Sequence, residues 1–345
     1  MSKTKTKRAR RQLKREGERK IAAHHHKLAK ATDPKTNPQT TNAKTKQPPQ
    51  KKQTPTPRPT PQASQTPQTP FQPYDHILLV GEGDFSFTHS LALTHGCAHL
   101  TSTSLDSART LTQKYPRFPL IAHDLTALTP PVPLFHAIDA CKLSTYKTLR
   151  CPRDDGQQGW DKIVFQFPHT GGLSTDVNRQ VRSNQALLVD FFKSCLEISS
   201  PGERRAVLSS QQQNHTPTST PTSSKRRKKP FLRKGGQILV SLFESEPYTL
   251  WNIRDLARHT GGLKVLTSFR FEWGLYPGYA HVRTLGALEG GGAWKGEERA
   301  ARMYVFEKVE LVMDSGDEVE MARLARRNRG GGLVSQKVAL KRALE

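Results

Sequence analysis

A loop with two glycines follows the first apolar run of the chain and could hold a small ligand. His76–Val80 is mainly apolar, and Gly81-Glu-Gly-Asp-Phe-Ser86 comes directly after it, where a helix is predicted to begin. The glycines let the backbone pass close to a ligand, and the amino terminus of a helix favours an anionic or polar group. A purely structural turn would give the same pattern. The cofactor-binding candidates in this loop are Gly81, Glu82, Gly83 and Asp84.

The glycine loop fits S-adenosylmethionine better than a dinucleotide. A dinucleotide-binding fingerprint carries a third glycine, and Phe85 stands near that place in this chain. The carboxylate and amine of a methionine also need less room than a pyrophosphate. The sequence therefore predicts S-adenosylmethionine as the cofactor and argues against a nucleotide-dependent oxidoreductase.

Two acidic residues end the next two predicted strands. Asp106 follows the strand at 100–105, where a carboxylate can accept hydrogen bonds from both ribose hydroxyls of a cofactor. The alternative is that Asp106 caps a helix that begins at Ser107. Asp139 follows the strand at 134–138 and could bind the exocyclic amine of adenine. Both acids are cofactor-binding candidates because they share the edge of the predicted sheet with the glycine loop.

The segment Gln166-Phe-Pro-His169 ends the fourth predicted strand, beside the position that a cofactor methyl group would occupy. Amino methyltransferases place an (Asn/Asp)-Pro-Pro-aromatic loop there, which holds the target nitrogen and stacks on the base. Gln166 could supply an amide, and His169 a base or a hydrogen bond, because the pKa of histidine lies near neutrality. An ordinary turn is the alternative. The candidates are Gln166 and His169 for catalysis and Phe167 and Pro168 for substrate binding.

The elements that must position these residues alternate between strands and helices. Strands are predicted at 76–80, 100–105, 134–138, 162–167, 237–243, 264–271 and 303–308, and helices at 86–95, 187–196 and 247–259. Such alternation predicts an α/β fold whose mostly parallel sheet carries helices on both faces. Ligands of these sheets bind outside the carboxyl ends of the strands, which places the functional loops after residues 80, 105, 138, 167 and 243.

The positive charge of the chain is concentrated outside the predicted sheet. The formal net charge is +24, and residues 1–60 hold 18 Lys and Arg against 3 Asp and Glu, while residues 203–234 hold 9 against 1. We predict a disordered tail over 1–70, basic and then rich in Pro, Thr and Gln, a folded domain over 71–310 interrupted by a basic low-complexity insertion at 203–234, and a final helix or tail over 311–345. Basic segments bind polyanions, solubilise a chain or serve as nuclear import signals.

Cysteine spacing and apolar run lengths exclude several other classes. Cys97, Cys141, Cys151 and Cys195 form no CxxC pair, so we expect reduced thiols and no metal site. The run His24–His26 lies in the charged tail and is interpreted as a solvated segment, with metal binding as the alternative. No apolar stretch approaches the roughly 20 residues needed to span a bilayer, so no membrane partner is expected.

Five ordered motifs give the sequence a specific resemblance. They are Val80-Gly-Glu-Gly-Asp-Phe-Ser-Phe87, Phe165-Gln-Phe-Pro-His169, Arg182-Ser-Asn-Gln185 with Phe191-Phe192, Glu246-Pro-Tyr248 with Trp251-Asn-Ile253, and Tyr276-Pro-Gly-Tyr279 with His281, Arg283 and Thr284. Together they resemble the family of eukaryotic 25S rRNA (uridine-N3)-methyltransferases over about residues 74–286, a family with a Rossmann-like class I methyltransferase fold. Two positions depart from the pattern, since Gln166 stands where Asn is expected and Cys141 where Thr is expected.

The resemblance implies a methyl donor, an acceptor and a location. The donor is S-adenosylmethionine, the acceptor is N3 of a uridine in large-subunit rRNA, and the location is the nucleolus. Ribosomal RNA, pre-ribosomal proteins and the nuclear import machinery are then the expected partners. Uridine N3 carries a proton, so the reaction needs a base, for which His169 is the first candidate and Glu244 and Asp84 the next.

The target base must be unpaired or flipped out before its N3 can react. Aromatic residues available for stacking are Phe167, Tyr248, Trp251 and Tyr279, each of which could instead pack in the core, and His281 and Arg283 could contact phosphate. The basic tail would raise the local RNA concentration. The competing hypotheses are a non-catalytic RNA-binding ribosome-assembly factor that keeps this fold, which Gln166 favours, and methylation of a different RNA.

Overall fold

The computed structural model describes residues 69–153, 156, 158–171, 176–213, 229–282, 296, 299–319 and 322–323. The predicted N-terminal tail up to residue 68, Arg283 and the chain after residue 323 lie outside these ranges. The strands are β1 His76–Val80, β2 His99–Thr103, β3 Leu134–Phe135, β4 Trp160–Gln166, β5 Leu232–Phe243, β6 Leu263–Arg270 and β7 Ala301–Lys308. The helices are α1 Ser86–Leu93, α2 Ala108–Lys114, α3 Phe118–Ala127, α4 Val177–Leu196, α5 Pro201–Gln213 and α6 Ile253–His259.

The strands form one seven-stranded sheet in the order β3-β2-β1-β4-β5-β7-β6. β1 to β5 pair in parallel, while β7 runs antiparallel to both β5 and β6. The chain crosses from β3 back to β4 on the other side of β1, so the strand order reverses between β1 and β4. Ligands bind at such a reversal, outside the carboxyl ends of the strands.

Both faces of the sheet are covered, which explains the apolar sequence of its central strands. Leu78 and Val80 of β1 belong to the core that α4 and α6 complete. Ile77 and Leu79 point to the opposite face and pack in the core that α1, α2 and α3 complete. A strand buried on both faces has a continuous apolar run rather than an alternating one. The predicted α/β fold with a mostly parallel sheet and helices on both faces is confirmed.

Two predicted elements end or break at single backbone conformations. β3 ends at Phe135 rather than at residue 138, because Ala137 takes a φ of +57° and turns the chain out of the sheet. The helix predicted at 247–259 is broken, since a 3-10 helix at Tyr248–Trp251 is separated from α6 by Asn252 at a φ of +51°. The helix α3 was not predicted, and α2 was predicted only in the alternative in which Asp106 caps it.

The predicted boundaries of the insertion at 203–234 are wrong at both ends. Residues 201–213 form α5, whose Leu208 is buried in the core, and β5 begins at Leu232. Arg204 of α5 is held by Asp317 at 2.7 Å from Nη2 to Oδ2. Residues 214–228 lie outside the described ranges. The predicted domain end at 310 is also early, because Leu311 is buried and the Val312 N–H donates to the carbonyl of Gly261.

None of the helices in the described residues is long and apolar enough to cross a membrane. The same residues contain no cluster of three or more His, Cys, Asp or Glu side chains that could hold a metal ion.

Candidate active site

A cleft opens at the carboxyl ends of β1, β2 and β4, where the strand order reverses. It is lined by Gly81, Glu82, Gly83, Asp84, Ser104, Leu105, Asp106, Tyr115, Gln166, Phe167, Tyr279, Ala280, His281 and Val282. The predicted loops after residues 80, 105 and 167 therefore meet in one place. The fourth wall, residues 279–282, comes from a segment between β6 and β7 that lies far away in the sequence.

Both glycines of the first loop are required by space, and Gly81 is also required by its conformation. Gly81 has a φ of +69°, and a Cβ on it would lie 2.5 Å from Cε2 of Phe165. A Cβ on Gly83 would lie 2.4 Å from Cγ2 of Val282. Real Cβ atoms do not approach other atoms so closely, so each position excludes every side chain in this arrangement. The loop thus leaves bare backbone facing the cleft, as a bound ligand needs.

Asp84 closes the glycine loop onto α1. Its Oδ1 accepts hydrogen bonds from the Ser86 backbone N–H at 3.0 Å and from the Ser86 hydroxyl at 2.6 Å. Phe85, between them, takes a φ of +62° and is fully buried against Phe118. Asp84 lines the cleft, but at least one of its oxygens holds the loop rather than facing a ligand.

Glu82 is a buried acid on the floor of the cleft. Its side chain is 7% exposed, and Oε2 accepts from the backbone N–H and the hydroxyl of Thr88, both at 3.3 Å. Burial and the nearby carboxylate of Asp84 raise its pKa to about 8, and the hydrogen bonds from Thr88 only partly oppose this. Glu82 is therefore mostly protonated at neutral pH, and a cation in the cleft would favour its ionised form.

Asp106 keeps its carboxylate at the cleft because a neighbour takes the capping role. Ser107 caps α2, its side chain accepting from the Thr110 N–H, so the alternative that Asp106 caps this helix is wrong. Asp106 instead accepts a hydrogen bond at 2.8 Å from Nζ of Lys114. The two side chains form an ion pair in which each is about one quarter exposed.

Asp139 does not line the cleft. It caps the 3-10 helix at Ala140–Thr145, because its Oδ1 accepts from the Cys141 N–H at 2.9 Å. Partial burial would raise the pKa of Asp139, but the bonds from Cys141 and Lys142 outweigh that effect and lower it. The adenine-binding role of Asp139 stays a prediction.

Gln166 is the last residue of β4 and presents an unsatisfied amide to the cleft. The side chain is 8% exposed, and both Nε2 and Oε1 are buried without a hydrogen-bond partner in the described part of the chain. A buried polar group without a partner costs about 1–3 kcal/mol. Such a cost at a cleft indicates that a ligand supplies the missing bonds.

Phe167 is strained and largely enclosed. It has a φ of +47° and is 6% exposed, with its ring stacked on Phe243 at 4.6 Å and on Trp273 at 5.3 Å between centroids. His281 lies 4.7 Å away, and Pro168 is buried. A bulky residue at positive φ persists only where the surroundings enforce it, and such strain collects at functional sites. The predicted stacking role of Phe167 stays a prediction.

His169 lies outside the cleft, and its ring is not set up as a base. Its Nδ1 accepts a hydrogen bond from the Gly171 N–H at 2.9 Å, so the proton of the neutral ring is on Nε2. Burial lowers the pKa of this ring, which keeps it neutral. The only nitrogen that could accept a proton is thus occupied. The ring packs near Tyr248 and Trp251, at 6.5 and 6.1 Å between centroids.

The helix α4 holds the loops on either side of it. Asn184 is buried, and its Oδ1 accepts from the backbone N–H of Thr170 at 2.9 Å. Gln185 donates to the carbonyls of Leu250 and Trp251 at 3.3 and 3.4 Å. These two residues explain why the motif Arg182–Gln185 accompanies the motifs at 165–169 and 246–253.

The segment before residue 283 covers the glycine loop. The hydroxyl of Tyr279 lies 3.4 Å from Nδ1 of His281, and both side chains line the cleft. Arg117 donates to the carbonyl of Gly278 at 3.1 Å, which ties the segment to the start of α3. Tyr248 does not line the cleft and lies beyond Phe243.

One residue near the site was missed by sequence reasoning. The guanidinium of Arg299 lies 4.3 Å from the ring centroid of Phe243 and 5.3 Å from that of Tyr248, and it donates to the Ser245 hydroxyl at 2.6 Å. Cation–π contacts of this kind fix an arginine beside the cleft. No local pattern marks Arg299, because its partners precede it by some fifty residues.

Comparisons with known proteins match the region that forms this cleft. The sequence model of the BMT5-like family, described as rRNA (uridine-N3-)-methyltransferase BTM5-like, matches residues 78–283. The 25S rRNA (uridine(2634)-N(3))-methyltransferase of Saccharomyces cerevisiae is 32% identical over 260 residues, which are 69% of this chain and 74% of that protein. Heavy metal-associated isoprenylated plant protein 41 of Arabidopsis thaliana is 30% identical over 210 residues, 60% of this chain but 32% of that protein. Among solved structures, TrmN from Thermus thermophilus aligns with 69% of this chain and 45% of its own at 15% identity and a TM-score of 0.35.

Proposed function

The chain belongs to the BMT5-like family of rRNA (uridine-N3-)-methyltransferases, and we propose that it transfers a methyl group from S-adenosylmethionine to N3 of a uridine in large-subunit rRNA during ribosome biogenesis. The observation that carries the substrate side of this proposal is the buried, unpartnered amide of Gln166. Its Nε2 can donate to a carbonyl oxygen beside N3, and its Oε1 can accept the N3–H of uracil until that proton leaves.

The residues of the cleft fit the proposed cofactor. When bound, S-adenosylmethionine supplies an electrophilic methyl group on a sulfonium. Gly81 and Gly83 line the cleft without side chains, and a Cβ on either would collide with Phe165 or Val282. Glu82 is a buried carboxyl that a cationic amine would ionise, and Asp106 offers a carboxylate for ribose hydroxyls. These four residues would hold the cofactor.

The remaining task of the protein is to align the target nitrogen and to accept its proton. Alignment alone can remove a large part of the barrier, since the transfer is an in-line displacement. The acid Glu244 is exposed and paired with Arg302, and His169 has its acceptor nitrogen occupied. Of the candidate bases, Asp84 alone lines the cleft, so we propose that its carboxylate accepts the N3 proton.

Nucleoside mass spectrometry of large-subunit rRNA tests the proposal. We expect 3-methyluridine to fall when the gene is deleted and to return with the wild-type chain and with Asp124→Ala, an exposed control on α3. Asp106→Ala should not restore it. If another methylated nucleoside falls instead, the target is wrong. If no nucleoside changes in any RNA fraction, the enzyme proposal is wrong.

The alternative is an RNA-binding assembly factor without methyl transfer. Gln166 favours it, because the family pattern leads us to expect Asn at that position. Titration of the purified chain with S-adenosylmethionine separates the two proposals, since a scaffold has no need to hold the cofactor. Micromolar binding that Asp106→Ala weakens supports the enzyme.

We also propose a nucleolar location, association with pre-ribosomal proteins and use of the nuclear import machinery. The support is the charge of residues 1–60 and 225–229, where Lys and Arg far outnumber Asp and Glu. Replacing Lys225-Arg-Arg-Lys-Lys229 and the basic residues of 1–20 by Gln should move a fluorescent fusion out of the nucleolus. An unchanged distribution would refute this location signal.

A further inference from the structure

Ser241 and Gln166 are direct neighbours on adjacent strands at the cleft. They are paired residues in the parallel register of β4 and β5. Val164 of β4 and the pair Leu239 and Phe243 of β5 point to the core face that α1 to α3 cover. Because side chains alternate along a strand, Gln166 and Ser241 point to that same face.

Both side chains are polar, buried and unsatisfied. Ser241 is 0% exposed, and its Oγ has no hydrogen-bond partner among the described residues, as is also true of both amide atoms of Gln166. The residue paired with Ser241 on its other side, in β7, is Met303, whose thioether is a weak acceptor. Leaving these three polar atoms unpaired beside one another costs free energy. Because neighbouring strands lie only about 4.8 Å apart, the two side chains are close enough to pair with each other.

We infer that Ser241 is a positioning residue for the methyl transfer: its hydroxyl hydrogen-bonds to the Gln166 amide when substrate enters and holds that amide in one orientation. An unrestrained amide can present either its oxygen or its NH₂ group to the base. The N3 of uracil lies between two carbonyl oxygens and must lose its proton and face the methyl group, so the amide has to present an N–H to one of those oxygens. When Ser241 accepts one N–H of Nε2, the second N–H remains for that carbonyl oxygen.

The inference rests on the proposed function, and a double-mutant cycle tests it. The activity assay uses radiolabelled S-adenosylmethionine and rRNA from cells that lack this gene. Ser241→Ala should lower kcat about 10-fold with little change in cofactor affinity, because one hydrogen bond at the amide is lost. In a Gln166→Ala background the same substitution should change kcat less than twofold, since its partner is gone.

Ser90→Ala is the matched control. Ser90 lies on α1 outside the cleft lining, and its Oγ is also buried without a partner in the described part of the chain. Both alanine variants remove an unsatisfied hydroxyl, so both should keep or slightly raise stability. Only Ser241→Ala should lower kcat. Equal losses of kcat in both variants, or additive losses with Gln166→Ala, would overturn the inference.

A measurement without turnover separates this inference from the proposed function. The side-chain NH₂ resonances of Gln166 can be followed by NMR while uridine is added to the cofactor-bound protein. In the wild type the Nε2 proton that Ser241 accepts should shift downfield and exchange slowly with solvent when uridine is added, and in Ser241→Ala it should not. If the wild-type protein methylates no RNA, the proposed function is wrong. Identical amide spectra in both proteins would contradict the role of Ser241.

Discussion

Replacing Glu82 by glutamine should change how stability depends on pH. Burial raises the pKa of Glu82 from 4.5 to about 8 in the folded chain. Between these values the unfolded chain has released the proton and the folded chain still binds it, so stability falls as pH rises. Above pH 8 both states are ionised and the loss stays constant. A pKa difference of this size corresponds to about 5 kcal/mol across the window.

Urea denaturation of wild type and Glu82→Gln from pH 4.5 to 9 measures this directly. Glutamine cannot ionise, so the free energy of unfolding of the variant should rise relative to that of the wild type by about 5 kcal/mol between the lower and the upper end of this pH window. The hydrogen bonds from Thr88 to Oε2 can be kept by the glutamine carbonyl. A difference between the two proteins that is flat with pH would refute the argument that burial controls Glu82.

Asp161, near the start of β4, is a control for the same assay because its pKa shifts in the opposite direction. Burial would raise the pKa of Asp161, but the His76 N–H, Arg153 and Arg233 outweigh it and lower the pKa. The stabilisation by Asp161 is present above the unfolded pKa and is lost as pH falls through the folded value. Asp161→Asn should thus cost stability at neutral pH, and the cost should shrink in acid.

Cofactor binding should release the proton that the Glu82 carboxyl group carries at neutral pH. A cationic amine beside Glu82 favours the carboxylate, so binding of S-adenosylhomocysteine near pH 7 should release close to one proton. Calorimetry in two buffers with different ionisation enthalpies counts that proton. The Glu82→Gln variant should release none and bind more weakly. Equal proton release by both proteins would show that the amine binds elsewhere.

Three further changes probe the walls of the cleft. Gly83→Ala should weaken S-adenosylhomocysteine binding because its Cβ would meet Val282, and adding Val282→Ala should restore most of the affinity in calorimetry. Asn184→Ala should cost about 1–3 kcal/mol in urea denaturation and reduce kcat more than cofactor affinity, since it frees the loop after β4. Lys114→Met removes a partly exposed ion pair and should cost less than about 1 kcal/mol, yet cofactor affinity should fall several-fold because Asp106 is no longer held. Unchanged binding by the last variant would contradict the role of Lys114 in holding Asp106.

The parts of the fold that the sequence predicted well are those decided by local composition. β1, β4 and β5 are apolar on both faces, which only a covered parallel sheet explains, and their carboxyl ends bring Gly81 and Gln166 into one cleft. The weak predictions are elements whose ends depend on single backbone conformations, such as Ala137 and Asn252 at positive φ. Neither residue type announces that conformation as glycine does.

Several side chains of the site come from distant parts of the chain, so no local sequence pattern identifies them. Val282 fills the space above Gly83, and Arg299 lies over Phe243. Ser241 joins Gln166 only through the register of two strands. His169 illustrates the converse, since its residue type suits a base while a nearby backbone N–H occupies the nitrogen that would act.

The contrast between Asp106 and Asp139 shows which local rule would have helped. Each acid follows a strand and precedes a helical turn, so both could either cap or face a ligand. Ser107 follows Asp106 and is itself a good cap, which leaves the Asp106 carboxylate free to pair with Lys114 at the cleft. Ala140 follows Asp139 and cannot cap, so the Asp139 carboxylate must accept from the backbone. Competition for the cap therefore decides which acid reaches the cleft.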